Sequence, residues 1–127
     1  MPKVWASSFF ALTMDSPDFP TERFAEDIAA SQTDAELAPA PGAGKKIIVT
    51  AVAFVCGDTA TTAVLNSASD AISQIFQNGA NGGAVIGYHP KGWYACAENE
   101  PLTVTTGAGS TTGINGTYMI VPSTFKP

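Results

Sequence analysis

The chain has 127 residues, 45% of them apolar and only 13% charged, with a net charge of −5 at pH 7. That length suits one domain with a real core, and the acidic balance argues against nucleic acid, whose phosphates require a basic surface. No apolar run approaches the ~20 residues of a membrane span. The N-terminus lacks the basic region and apolar stretch of a secretory signal, so Met1 reads as a true start and the expected compartment of synthesis is a reducing cytoplasm.

The N-terminal part differs from the rest. Residues 1–44 hold seven of the 11 acidic residues and carry the whole net charge, while residues 45–127 are neutral. Trp5, Phe9, Phe10, Phe19 and Phe24 also cluster at this end. Residues 4–14, VWASSFFALTM, read as an extra strand or an extended arm, Pro2, Pro17 and Pro20 break up the rest, and Phe24 and Ile28, four apart, allow a short helix over 21–31. Residues 1–32 are therefore expected to form an arm. Its five aromatics are the candidate partner-binding residues, since buried aromatics anchor interfaces.

From residue 33 onward the pattern is of strands. Residues 33–40 alternate, and Pro39 and Pro41 exclude a helix there. Residues 45–56, KKIIVTAVAFVC, form a long β-branched run and the strongest strand signal. Residues 61–68, 71–76, 84–90, 93–97, 102–107 and 114–122 follow, separated by turns rich in Gly, Asn and Pro. Eight strands so spaced predict an all-β fold, an antiparallel jelly-roll-like sandwich over residues 33–127 with strand order 1-8-3-6 in one sheet and 2-7-4-5 in the other.

The most chemistry-like stretch is ANGGAVIGYHPKGWYACAENEPLTV, residues 80–104. His89 lies in a tight turn, and Cys96 on the next strand has no third, orienting group, so no catalytic residue is assigned. Cys56 and Cys96 fall on strands 2 and 6 of the scheme, in different sheets, and are expected to be free buried thiols. Glu98, Asn99 and Glu100 read as a solvated turn rather than a calcium loop. Neither glycine loop precedes a helix that would hold a phosphate. Trp93 is expected to pack in the core. No metal or cofactor site is assigned, and the chain is expected not to be an enzyme.

The runs ELAPAPGAGKKIIVTAVAFV, AISQIF, ANGGAVIGYHPKGWYACAENEPLTVTTGAG and GTYMIV resemble small β-sandwich structural proteins of tailed bacteriophages. The PGAGK turn, the P-x-GW turn and the ENEPL-x-V strand carry the resemblance, over roughly residues 33–121. It implies a jelly-roll capsid decoration, or cement, protein of the virion's outer surface. Its partner would be the major capsid protein, its state a homotrimer, and it would use no cofactor, nucleic acid or membrane. The alternative is a tail, fibre or adhesin module binding host glycan, which would expose Tyr88, Trp93 and Tyr94.

Overall fold

A computed structural model describes residues 19–126. Ten strands make up its regular structure: β1 (Thr21–Ile28), β2 (Ala35–Ala38), β3 (Lys45–Cys56), β4 (Thr61–Ser67), β5 (Asp70–Ala71), β6 (Phe76–Asn78), β7 (Gly83–Ile86), β8 (Tyr94–Ala95), β9 (Leu102–Thr106) and β10 (Thr112–Pro122). All pairings are antiparallel. One sheet runs β1-β10-β3-β7, with β8 also on β3, and the other runs β2-β9-β4-β5, with β6 also on β4. The short pair β5 and β6 occupies one position, and β7 and β8 another. Eight positions then follow the jelly-roll order 1-8-3-6 and 2-7-4-5.

The order agrees with the sequence reading, but its assignment to segments is displaced by one. Position 1 is Thr21–Ile28, not residues 33–40, and residues 84–90 and 93–97 share a position instead of filling two. The helix expected over 21–31 is a strand. A spacing of four satisfies the period of a strand as well as that of a helix, so Phe24 and Ile28 share the inner face of β1 and are both buried. The segment expected to be an arm thus supplies an edge strand, paired along its length with β10. Trp5, Phe9 and Phe10 lie outside the described residues.

Between the sheets sits a core built around Phe54, Ile47, Leu65, Leu102, Ile114, Val49, Val52 and Val104, all essentially inaccessible. Phe54 stacks on Phe76 across the sandwich at 4.5 Å between centroids, and Phe24 meets Tyr118 at 6.2 Å. A bulge interrupts β3. Thr117 pairs with Ala51 but Tyr118 pairs with Val49, which leaves Thr50 as the extra residue. Its hydroxyl is 2.7 Å from that of Thr117. The bulge reverses the alternation, as an inserted residue must. Beyond it Val52, Phe54 and Cys56 face the core; before it Ile47 and Val49 do, and Ile48 turns outward. Ile48 stays fully buried because Met119, Val121, Phe19 and Phe125 enclose it in a second cluster on the outer side of the sheet. Phe19 and Phe125 pack edge to face at 5.0 Å.

Cys56 and Cys96 are free and buried. They lie on one sheet, contrary to the expected separation. The backbone of Cys96 bonds to Ile47, nine residues along β3 from Cys56, so about 30 Å of strand separates them.

Candidate interaction surface

The resemblance-bearing motifs turn out to fasten the sandwich. In the PGAG turn the amides of Gly42 and Gly44 donate to Asn99 Oδ1 at 3.0 Å and Glu98 Oε2 at 2.7 Å. The Asn99 amide in turn donates to the Lys45 carbonyl at 2.8 Å. Glu100 accepts a 2.6 Å bond from Ser67 Oγ, and that same oxygen accepts the Ala97 amide. The three polar residues of the ENEP turn therefore tie the β8–β9 connection to the start of β3 and the end of β4. Carboxylates accepting N–H and O–H donors in this way are charge-assisted fasteners. The turn is solvated as expected, with Glu98 and Asn99 exposed, and it is also a clasp. Among the described residues no group of three or more His, Cys, Asp or Glu could hold a metal ion.

The P-x-GW turn is equally well anchored. Past β7 the His89 amide donates to the Thr50 carbonyl at 3.0 Å and the Trp93 amide to that of Val49 at 2.7 Å. Both acceptors lie at the bulge in β3. Within the loop Lys91 N donates to His89 Nδ1 at 3.1 Å, and Gly92 N to the His89 carbonyl at 2.9 Å. Gly92 has φ of +85°, and a side chain there would collide with Ile48 Cγ2. Glycine is required at this position both by its left-handed conformation and by the close approach of loop to strand.

This rigid loop presents aromatic rings to solvent. Tyr88 is 48% and Trp93 51% exposed. The indole Nε1 donates to the Gly87 carbonyl at 2.7 Å, and the imidazole of His89 meets the indole edge to face at 5.5 Å. Trp93 therefore sits at the rim, not in the core as expected. Its only polar atom is satisfied within the loop, and about half of the residue stays exposed. Tyr94 is half-buried, its hydroxyl donating to Gln74 Oε1 at 3.1 Å.

Of the other candidate residues, Phe24 belongs to the core and Phe19 to the outer cluster. His89 is exposed and Cys96 buried. Burial pushes the Cys96 thiol up to about 11, opposed by the hydroxyl of Ser67 and reinforced by the negative charge of Glu100. A thiol so raised is protonated at neutral pH and is a poor nucleophile.

Val55 and Val85 escaped the sequence reading and are among the most exposed large apolar residues described, at 60% and 76%. Their signal lay in the alternation of AVAFVC, which puts Ala51, Ala53 and Val55 on the face opposite Val52 and Phe54. The outer face of the second sheet is polar by contrast. There Asn66 Nδ2 donates to Thr105 Oγ1 at 2.9 Å and to Asp34 Oδ1 at 3.2 Å, and Thr103 Oγ1 donates to the Ala68 carbonyl at 2.6 Å.

No protein-family model matches the chain, and no curated protein does. A solved structure similar to it is that of the virus-like particle of the extra small virus of the giant freshwater prawn Macrobrachium rosenbergii. That similarity covers 80% of this chain and 78% of the other at 17% identity, with a TM-score of 0.41, too loose a likeness to bear on function.

Proposed function

We propose that this chain is a structural protein of a tailed-phage virion, decorating and stabilising the outer surface of the capsid without catalysis or cofactor. The observation that carries the reading is the anchored loop at residues 87–93. It holds Tyr88 and Trp93 half-exposed on a backbone fixed to β3, and rigid exposed aromatics are the side chains that dominate protein–protein contacts. The phage-like motifs support it as well, since they are the fasteners of this sandwich. A shell-stabilising protein needs a rigid body and a fixed contact surface, and the two clasped turns supply both.

In this reading the partner is the major capsid protein, and the chain acts as a homotrimer, whose several contacts add avidity. The test is a reconstruction of the particle by electron microscopy with the protein's copies counted. Hundreds of copies on the shell are expected; a handful at the tail, or none, would sink the proposal. Replacing Trp93 with Ala is expected to lower occupancy on particles stripped of the protein at least tenfold while leaving the thermal midpoint within a few degrees.

A second reading, a glycan-binding tail or fibre module, is favoured by the half-exposed rings of Trp93 and Tyr88, since exposed aromatic rings suit stacking on sugars. Retention on immobilised host glycan, lost in Trp93→Ala, would select it over the first.

A further inference from the structure

The space between the sheets turns polar at the end where β3 meets β4. On the first sheet Ile28, Thr112 and Cys56 are cross-strand partners and therefore share the inner face. On the second sheet Thr61 pairs with Asn78. Each lies two residues from a core side chain, Ala63 and Phe76, and so faces inward as well. The two rows meet at Cys56, whose Sγ is 3.8 Å from the Asn78 carbonyl and 2.9 Å from that of Gly79. Thr61, Asn78 and Thr112 are all buried.

Some of the polar groups here are matched within the protein. Thr61 Oγ1 donates to the Thr59 carbonyl at 2.9 Å and accepts the Ser110 amide at 2.9 Å. Among the described residues, three buried side-chain atoms have no such partner: Asn78 Nδ2, Asn78 Oδ1 and Thr112 Oγ1. All three belong to the residues that flank Cys56. A buried amide left unmatched is strongly disfavoured, and folded proteins match nearly all such groups. The amide offers donors and an acceptor, and the hydroxyl one donor and acceptor capacity. They do not bond each other, so the group that matches both must be small and able to donate and accept. Water meets that requirement and makes about three hydrogen bonds when buried. A depression of about 290 Å³ lined by Thr61, Gln77, Asn78, Gly79 and Ala108 adjoins this end. No charged side chain lines it, which fits a neutral occupant.

We propose that this end of the interior is a water-binding site, in which buried water bridges the Asn78 side chain and the Thr112 hydroxyl. The bridge ties β6 to β10, strands of different sheets that share no ladder. It completes the hydrogen bonding of the sandwich where the apolar core stops. The inference concerns the isolated chain and is independent of the virion reading.

The test is nuclear Overhauser transfer from water to the Asn78 side-chain amide in the nitrogen-labelled protein. Transfer is expected, with the sign of a water held longer than the molecule takes to tumble. A crystal structure should place that water within hydrogen-bond distance of both Asn78 and Thr112 Oγ1. An amide without transfer, or a direct hydrogen bond between Asn78 and Thr112, would overturn the proposal. Thr112→Val keeps the side chain's shape and removes its hydroxyl, so transfer to Asn78 is expected to fall several-fold. Unchanged transfer in the folded variant would sink the bridge. If that variant does not fold, the two measurements on the unaltered protein decide.

Discussion

At the scale of single residues, two positions expose the constraints most clearly. Gly116 lies where β10 crosses between β1 and β3. A side chain there would run into the Ala51 carbonyl and come within 2.7 Å of Phe24 Cζ. Gly116→Ala is therefore expected to lower stability by roughly 1–3 kcal/mol, the usual cost of overpacking. Gly79→Ala, with open space around it, should be close to neutral, and urea denaturation of the two variants would separate them. Cys96 supplies a pH dependence. Burial raises its thiol from 9.0 to about 11, so between those values the folded protein holds a proton that the unfolded chain has released. Its contribution is present in full below pH 9 and is lost as pH rises through 11, by up to about 2–3 kcal/mol at 1.36 kcal/mol per unit. Burial raises Tyr118 as well, with the same sign. The contribution of Cys96 is isolated by comparison with Cys96→Ala, whose alkaline decline should be shallower. Equal slopes in the two proteins would contradict the assignment.

At the scale of elements, β1 is the strand on which the domain boundary turns. It carries Glu22, Arg23, Glu26 and Asp27 on an otherwise unpaired edge, a common defence against edge-to-edge aggregation. Its two large apolar residues, Phe24 and Ile28, reach into the core. A chain starting at residue 19 keeps this strand and is expected to stay folded, with a cooperative thermal transition. A chain starting at residue 33 loses Phe24 and Ile28 and uncovers β10. Loss of a buried Phe alone costs about 3–5 kcal/mol, against a total domain stability of about 5–15 kcal/mol. The shorter chain should therefore aggregate or unfold, and circular dichroism of the two would decide. The bulge at Thr50 is the other consequential element. It splits the outer face of the first sheet into a half enclosed by Phe19 and Phe125 and an open half, and it supplies the carbonyls that hold the aromatic loop.

At the scale of the whole molecule, the two outer faces are unlike: one sheet carries hydrogen-bonded Asp34, Asn66 and Thr105, the other short side chains interspersed with Asp27, Asn115, Val55 and Val85. Val55 and Val85, 60% and 76% exposed, are the apolar side chains that stand out on it. The topology also bears on folding. β1 pairs with β10, so the first sheet cannot be completed until nearly the whole chain is available. Non-local pairing of this kind predicts refolding over milliseconds to seconds. A stopped-flow refolding time well below a millisecond would be inconsistent with this closure.

The sequence by itself determined the fold class and the strand order. Alternation, β-branched runs and glycine- and proline-rich turns are local, and eight strands have a favoured way to pack. It also marked the turns at PGAG, HPKGW and ENEP, because turn chemistry is read from a few adjacent residues. Only the tertiary structure decided which segment was the first strand. The spacing of Phe24 and Ile28 serves helix and strand alike, and pairing with β10, far along the chain, selects between them. It alone showed that Glu98 and Asn99 grip the PGAG turn, and that Trp93 lies at the rim. Those outcomes depend on contacts between distant segments and on one inserted residue in β3, to which local pattern is blind.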